Sequence, residues 1–259
     1  MDLGRQATNA MHRAVLGERS LDLHPGLLLC HGLDQWPDKD SASKDGETPK
    51  TRLIQRLAQC KASGYYRAAL ARWQRCTKDA SRFTSFQSEL EGRLYIGVTR
   101  DNPLEAGVTT SHSYGMPLIP GSSVKGLARS AALDLVDHGS LDRDSVDWMF
   151  GRGGDEGEVG GVIFHDAWWC GEALPFVAEV VTPHHVGYYA KGGKEPPRDS
   201  DSPVPAPQIA VAGSFHFTIE GDPAWTAVAA VILRGALETR GIGAKRSSGY
   251  GVMRVDRGA

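Results

Sequence analysis

Residues 214–255 constrain the fold more than any other part of the chain. "SFHFTIE" puts Phe215, Phe217 and Ile219 on one side of an extended segment, the alternation of a strand with one apolar face. "GDPAWTAVAAVILRGALETRG" follows as the strongest helical stretch. Asp222 is its predicted N-cap and Pro223 its N1 residue. Trp225, Val228, Ile232 and Ala236 make an apolar stripe, and Gly241 falls at C′. "GYGVMRVD" alternates again as a last strand. A strand, helix and strand so closely spaced must lay the helix on a sheet that both strands share.

The join between that helix and the last strand is "GIGAKRSSGYG", residues 241–251. Gly241, Gly243, Gly249 and Gly251 surround Lys245, Arg246 and Ser247. Glycine admits positive φ and close backbone approach, and successive exposed amides make a nest for anions. The dinucleotide fingerprint GxGxxG opens a helix after a strand. Here the glycines close a helix and open a strand, so the expected ligand is a phosphate backbone rather than a dinucleotide.

A similar order appears upstream. "GRLYIGVT" alternates Leu94, Ile96 and Val98 with Arg93, Tyr95 and Thr99, which predicts a strand over 92–99. In "PGSSVKGLAR", Gly121, Ser122 and Ser123 are expected to supply a turn and N-cap for a helix running to about Asp137. "GGVIFHDA" and "LPFVAEVV" read as strands. From residue 91 the order is strand, helix, strands, insertion, strand, helix, strand. That is an α+β, ferredoxin-like (RRM-like) plan: an antiparallel sheet with two helices on one face. The extra strand at 174–181 is an embellishment. The insertion, residues 182–208, holds six prolines and three glycines without periodicity, and a stretch so long is usually functional or disordered. Residues 1–89 form an arm and helical elaboration, with a short helix near 9–16 and a helix over 50–77 that breaks near Gly64. Residues 90–259 form the core.

Twenty-nine basic against thirty-one acidic residues give a net charge of −2, which argues against a uniformly basic nucleic-acid binder. Locally the balance differs. Between Lys50 and Lys78 there are eight basic residues and no acid, so that helix could face RNA, an acidic neighbour or solvent. The four cysteines, Cys30, Cys60, Cys76 and Cys170, are scattered without a CxxC pair, poor spacing for zinc or a disulfide framework. No apolar run is long enough to span a bilayer. A soluble, cytoplasmic protein is expected, without membrane, metal or cofactor.

At the start of the helix after residue 120, exposed N–H groups attract anions. Lys125 and Arg129, four apart, share a face there, so Ser122, Ser123, Lys125 and Arg129 are candidate phosphate contacts. GxxxxGK[ST] is absent. Neighbouring His165 and Asp166 point to opposite faces of a strand and cannot pair. His184 and His185 lie in the insertion with Tyr188 and Tyr189, whose rings are candidates for stacking on bases. No HExxH, GxSxG or persuasive carboxylate pair occurs, so no catalytic residue is assigned.

"GRLYIGV", Glu105 in "PLEAGVTTSHSYGMPLIPGSSVKGLAR", "GVIFHDAWW", "TPHHVGYY" and "GIGAKRSSGYG" together resemble the RAMP proteins of type III CRISPR–Cas effectors. Among these they look most like those of the type III-B (Cmr) complexes. The likeness covers about residues 90–255, and the first 90 match only vaguely. It implies a non-catalytic subunit that binds crRNA towards its 3′ end, helps hold target RNA and contacts neighbouring RAMP subunits. The glycine-rich loop would pack on the guide backbone, and the 182–208 insertion is a candidate wedge between guide and target. Asp166 would order the fold. Two alternatives stay open: a metal-independent guide-processing endoribonuclease using His184 or His185, and a protein–protein adaptor gripping an acidic partner through 50–77.

Overall fold

The computed structural model describes residues 24–33, 48–98, 107–153, 157–182, 188, 192–194, 196 and 205–255. The expected helix near 9–16, together with Glu105, His184, His185 and Tyr189, lies outside the described residues.

Among the described residues three short helices come first: α1 (Pro25–His31), α2 (Pro49–Leu57) and α3 (Gly64–Cys76). The break expected near Gly64 is the turn between α2 and α3, where the Ser63 hydroxyl accepts the Tyr66 N–H at 3.2 Å and restarts the helix. The sheet follows as β1 (Phe83–Leu90), β2 (Leu118–Ile119), β5 (Ile163–Phe164), β6 (Ala167–Trp169), β9 (Ser214–Glu220) and β10 (Met253–Val255). Between them lie α4 (Gly121–Asp137), α5 (Arg143–Phe150), β3 (Gly151–Arg152), β4 (Glu158–Val159), β7 (Phe176–Val181), β8 (Ala206–Val211) and α6 (Pro223–Thr239).

The order across the sheet is β10-β1-β9-β6-β2, with β5 also on β9, and every pairing is antiparallel. Taking β1, β5/β6, β9 and β10 as the four strands of a βαββαβ unit, the spatial order is 4-1-3-2. This is the ferredoxin-like arrangement, with α4 and α6 as its helices. β7 and β8 pair with each other and with no other named strand, so they form a separate ribbon. In the chain the 182–208 insertion follows β7, and its last residues, Ala206–Gln208, already belong to β8.

Pairing register assigns the two faces. Phe86, Leu90, Phe215, Phe217 and Trp169 share one face with α6, whose Arg234 guanidinium stands 4.6 Å from the Phe86 ring centre. Phe86 and Phe217 stack at 5.2 Å, a pairing worth about 1 kcal/mol beyond its buried area. Gln87, His216 and Trp168 share the other face, where α3 stacks Tyr66 and Trp73 on Trp168 at 5.8 and 6.3 Å. The Tyr66 hydroxyl donates to the Trp169 carbonyl at 2.6 Å, fixing α3 to the sheet.

Three local expectations are corrected. The expected strand over 92–99 is not a sheet strand in its described part, residues 92–98: Leu94 and Tyr95 make isolated bridges to Val211 and Ala244, while Leu94, Tyr95 and Ile96 are all buried. The first sheet strand is β1, upstream of residue 90. The buried stripe of α6 is Thr226, Ala229, Ala230, Ile232, Leu233, Ala236 and Leu237, so Ile232 and Ala236 lie inward as expected while Val228 is exposed. The long helix packs beside α4 and over β1 and β10, so its small residues face inward. Finally, α4 begins after Pro120 with no side-chain cap from its serines. The Asp166 carboxylate, from the turn between β5 and β6, accepts the Gly121 N–H at 2.7 Å instead.

Candidate nucleic-acid interface

Residues 241–251 fold back on themselves after α6. Gly241 stands just past the helix at φ 66°, as expected for C′. The Ile242 N–H donates to the Gly251 carbonyl at 2.9 Å, and the Gly251 N–H donates to the Arg93 carbonyl at 2.8 Å. Gly251, at φ 75°, has no room for a Cβ, which would run into the Ile242 carbonyl. Gly243 is likewise closed by the Tyr95 carbonyl, which accepts the neighbouring Ala244 N–H at 2.8 Å. These glycines are therefore needed for close approach of the loop to its own start and to residues 93–95.

The tip of the loop is different. Lys245 is left-handed at φ 57°, and a single 3-10 turn runs Arg246–Ser248. Residues 245–249 are exposed, and Gly249 has open space around it. The N–H groups of Lys245, Arg246 and Ser247 make no backbone hydrogen bond to a described residue. A left-handed residue followed by successive free amides is the geometry of an anion nest. The Lys245 ammonium sits 5.0 Å from the Tyr95 ring centre, a cation–π contact that steadies the tip.

Beside the tip runs a groove of about 440 Å³. Ser123, Gly126, Leu127 and Ser130 of α4 form one wall, with Gly241, Gly243 and Arg246 opposite and Tyr95 to Val98 at the floor. The fold thus brings the start of α4 and the glycine-rich loop, more than a hundred residues apart, into one cleft. Not every expected contact converges there. At 100° per residue, Lys125 and Arg129 lie well over 100° around α4 from Ser123 and stand on its other flank. Ser122 is exposed at the helix start, and the Gly121 N–H is already bonded to Asp166. Tyr188 is exposed on the insertion and does not line the groove.

A second feature has no local signature in the sequence. Glu179 of β7 accepts hydrogen bonds from the hydroxyls of Tyr95 (2.9 Å) and Tyr250 (3.2 Å), and its other oxygen lies 3.5 Å from Arg93 Nε. The two tyrosine rings stand 4.9 Å apart. Burial first, and then bonding to the Glu179 carboxylate, raises the Tyr95 phenol above its ordinary range. Burial likewise leads the upward shift of Tyr250, with the Glu179 charge next. Both hydroxyls therefore stay protonated and donate. This cluster ties the ribbon that carries the insertion to the floor and loop of the groove.

His165 bonds Glu220 at 2.8 Å rather than Asp166, and Arg82, followed by His165, holds the Glu220 carboxyl below the usual carboxylate range. Among the described residues no group of three or more His, Cys, Asp or Glu is placed to hold a metal.

Residues 89–254 match the model of the RAMP superfamily. The chain belongs to the RAMP superfamily. This RAMP protein is 23% identical over 219 residues to CRISPR system Cmr subunit Cmr6 of Pyrococcus furiosus, covering 62% of this chain and 64% of that protein. It is 28% identical over 184 residues to CRISPR system CMR subunit Cmr6 of Saccharolobus solfataricus, covering 66% and 57%. The alignments span less than two thirds of each curated relative. In fold it resembles a chain of the cryo-EM structure of the type III-B Cmr-beta bound to cognate target RNA. That match has a TM-score of 0.66 at 20% identity, over 97% of this chain and 89% of the other. Among the described residues no helix is long and apolar enough to cross a membrane.

Proposed function

We propose that this RAMP protein is a non-catalytic, RNA-binding subunit of a type III-B (Cmr) CRISPR–Cas effector in the cytoplasm. It binds crRNA towards the 3′ end, helps hold target RNA and packs against neighbouring RAMP subunits. The observation that carries this is the groove in which Ser123 faces Gly241, Gly243 and Arg246 under an exposed amide nest. A phosphate at the tip would meet the Lys245–Ser247 amides, the Arg246 side chain and the Lys245 charge. Gly249 keeps the tip open to a backbone. Ser122, Lys125 and Arg129 take a further phosphate on the outer side of α4, and Tyr188 and Tyr189 offer rings from the insertion. The Cmr6 names of the relatives support the choice of complex.

Titrating single-stranded RNA onto the full chain at several salt concentrations tests this. Each phosphate neutralised on a single strand contributes roughly 0.7 to the log–log salt slope. Replacing Lys245 and Arg246 together by Ala should therefore flatten the slope by about 1.4. An unchanged slope and affinity would remove the loop from the interface.

A further inference from the structure

A second surface carries more exposed positive charge than the groove does. The chain as a whole is at −2, yet residues 50–78 hold eight basic side chains and no acidic one. Lys61, Arg67, Arg72, Arg75 and Lys78 are exposed there, and none forms an ion pair with a described residue. The segment is held rigidly, because α3 buries Tyr66, Ala69 and Leu70 and stacks Trp73 on Trp168. Opposite that buried side, Tyr65, Ala68, Arg72 and Arg75 follow at spacings of three, four and three, one stripe along the outer face. Ten residues of helix set Tyr65 and Arg75 about 15 Å apart.

Tyr65 is 87% exposed, so packing does not explain an aromatic ring at that position. It stands at the rim of a cleft of about 860 Å³ whose walls include His24, Gln59, Lys61 and Tyr114. Acidic protein would be satisfied by the cations alone. Flat rings beside cations, around a concavity, match a polyanion whose bases are unstacked and free to lie on aromatic faces. We propose that the outer face of α3 and the cleft at its head bind single-stranded RNA, with bases on Tyr65 and in the cleft and phosphates along Arg72 and Arg75. This surface lies on the sheet face opposite α4 and rests on residues the groove does not use.

The experiment measures fluorescence anisotropy of a labelled oligouridine and of a labelled poly-glutamate peptide against full-length protein. Stacking is worth about 1–3 kcal/mol per base by alanine substitution, so Tyr65→Ala should weaken oligouridine binding roughly 5- to 140-fold. Tyr65→Phe, which keeps the ring, should bind like the parent. Arg72→Ala with Arg75→Ala should lower the salt slope by about 1.4. All three side chains are exposed, so far-UV circular dichroism should not change. If Tyr65→Ala leaves oligouridine affinity unchanged, the proposal fails. It fails equally if only the poly-glutamate peptide responds to the arginine changes, which would make this an acidic-protein surface. The Lys245/Arg246 variant run in parallel reports on the groove alone, so loss of one site is distinguishable from loss of the other.

Discussion

The carboxylate of Asp166 accepts the backbone N–H of Gly121 across 45 residues of chain, at 2.7 Å. It thereby caps α4 in place of the serines and puts negative charge where the helix dipole favours it. Asp166→Ala should cost about 1 kcal/mol of stability in urea unfolding, and Asp166→Asn less, since an oxygen acceptor remains. RNA affinity of the folded variants should be close to the parent's. An Asp166→Ala protein of full stability that has lost RNA binding would instead make the carboxylate part of the interface.

The four loop glycines are not equivalent, and alanine substitution should separate them. At Gly249 the added methyl meets open space, so only the strain of positive φ remains, about 1 kcal/mol. At Gly251 it strikes the Ile242 carbonyl as well. Gly251→Ala should therefore lose appreciably more stability than Gly249→Ala, read from paired thermal melts. Equal losses would mean that the loop does not close on itself through Gly251.

Tyr95 and Glu179 should behave as a coupled pair. Tyr95→Phe alone is expected to cost about 0.5–1.5 kcal/mol, the net worth of its hydrogen bond. In a Glu179→Ala background the same change should cost measurably less, with a coupling energy of at least about 0.5 kcal/mol. Additive losses in the double-mutant cycle would show that the ribbon is not fastened to the loop through this carboxylate.

His216 is buried between Gln87 and Trp168, and neither ring nitrogen has a hydrogen-bond partner among the described residues. Burial lowers its pKa below the ordinary histidine value. Above about pH 6.5 both folded and unfolded states keep this ring neutral, so it contributes no pH dependence. As pH falls below 6.5 the unfolded chain takes up a proton that the folded state refuses, and stability declines by up to about 1.4 kcal/mol per pH unit. His216→Leu should make the fall in stability between pH 7 and 5.5 shallower. An identical pH slope in the variant would exclude His216 as its source.

Much of the fold was legible because it is written in short-range chemistry. The span of α4 to Asp137 follows from Pro120 before its start and Gly139 just past its end, and α6 follows from Asp222, Pro223 and Gly241 at its ends. The strand over 92–99 misled because alternation records burial, not the partner. Leu94 and Tyr95 are buried by bridging two different elements, the ribbon and the glycine loop. β1 was hidden for the converse reason. Its inward positions include Ser88, which is buried and satisfied by the Arg254 carbonyl at 3.1 Å, a bond no local pattern announces.

By itself the sequence determined the two long helices, the glycines that must turn backwards, and the absence of acid between residues 50 and 78. Each is a property of a residue or of its immediate neighbours. Tertiary structure alone decided that Ser123 faces Arg246, that Lys125 and Arg129 turn away, and that Asp166 and Glu179 serve as a cap and a clasp. Hydrogen bonds between residues 45 to 84 positions apart depend on which strands become neighbours. That pairing is chosen by burial of the whole sheet, which no single segment encodes.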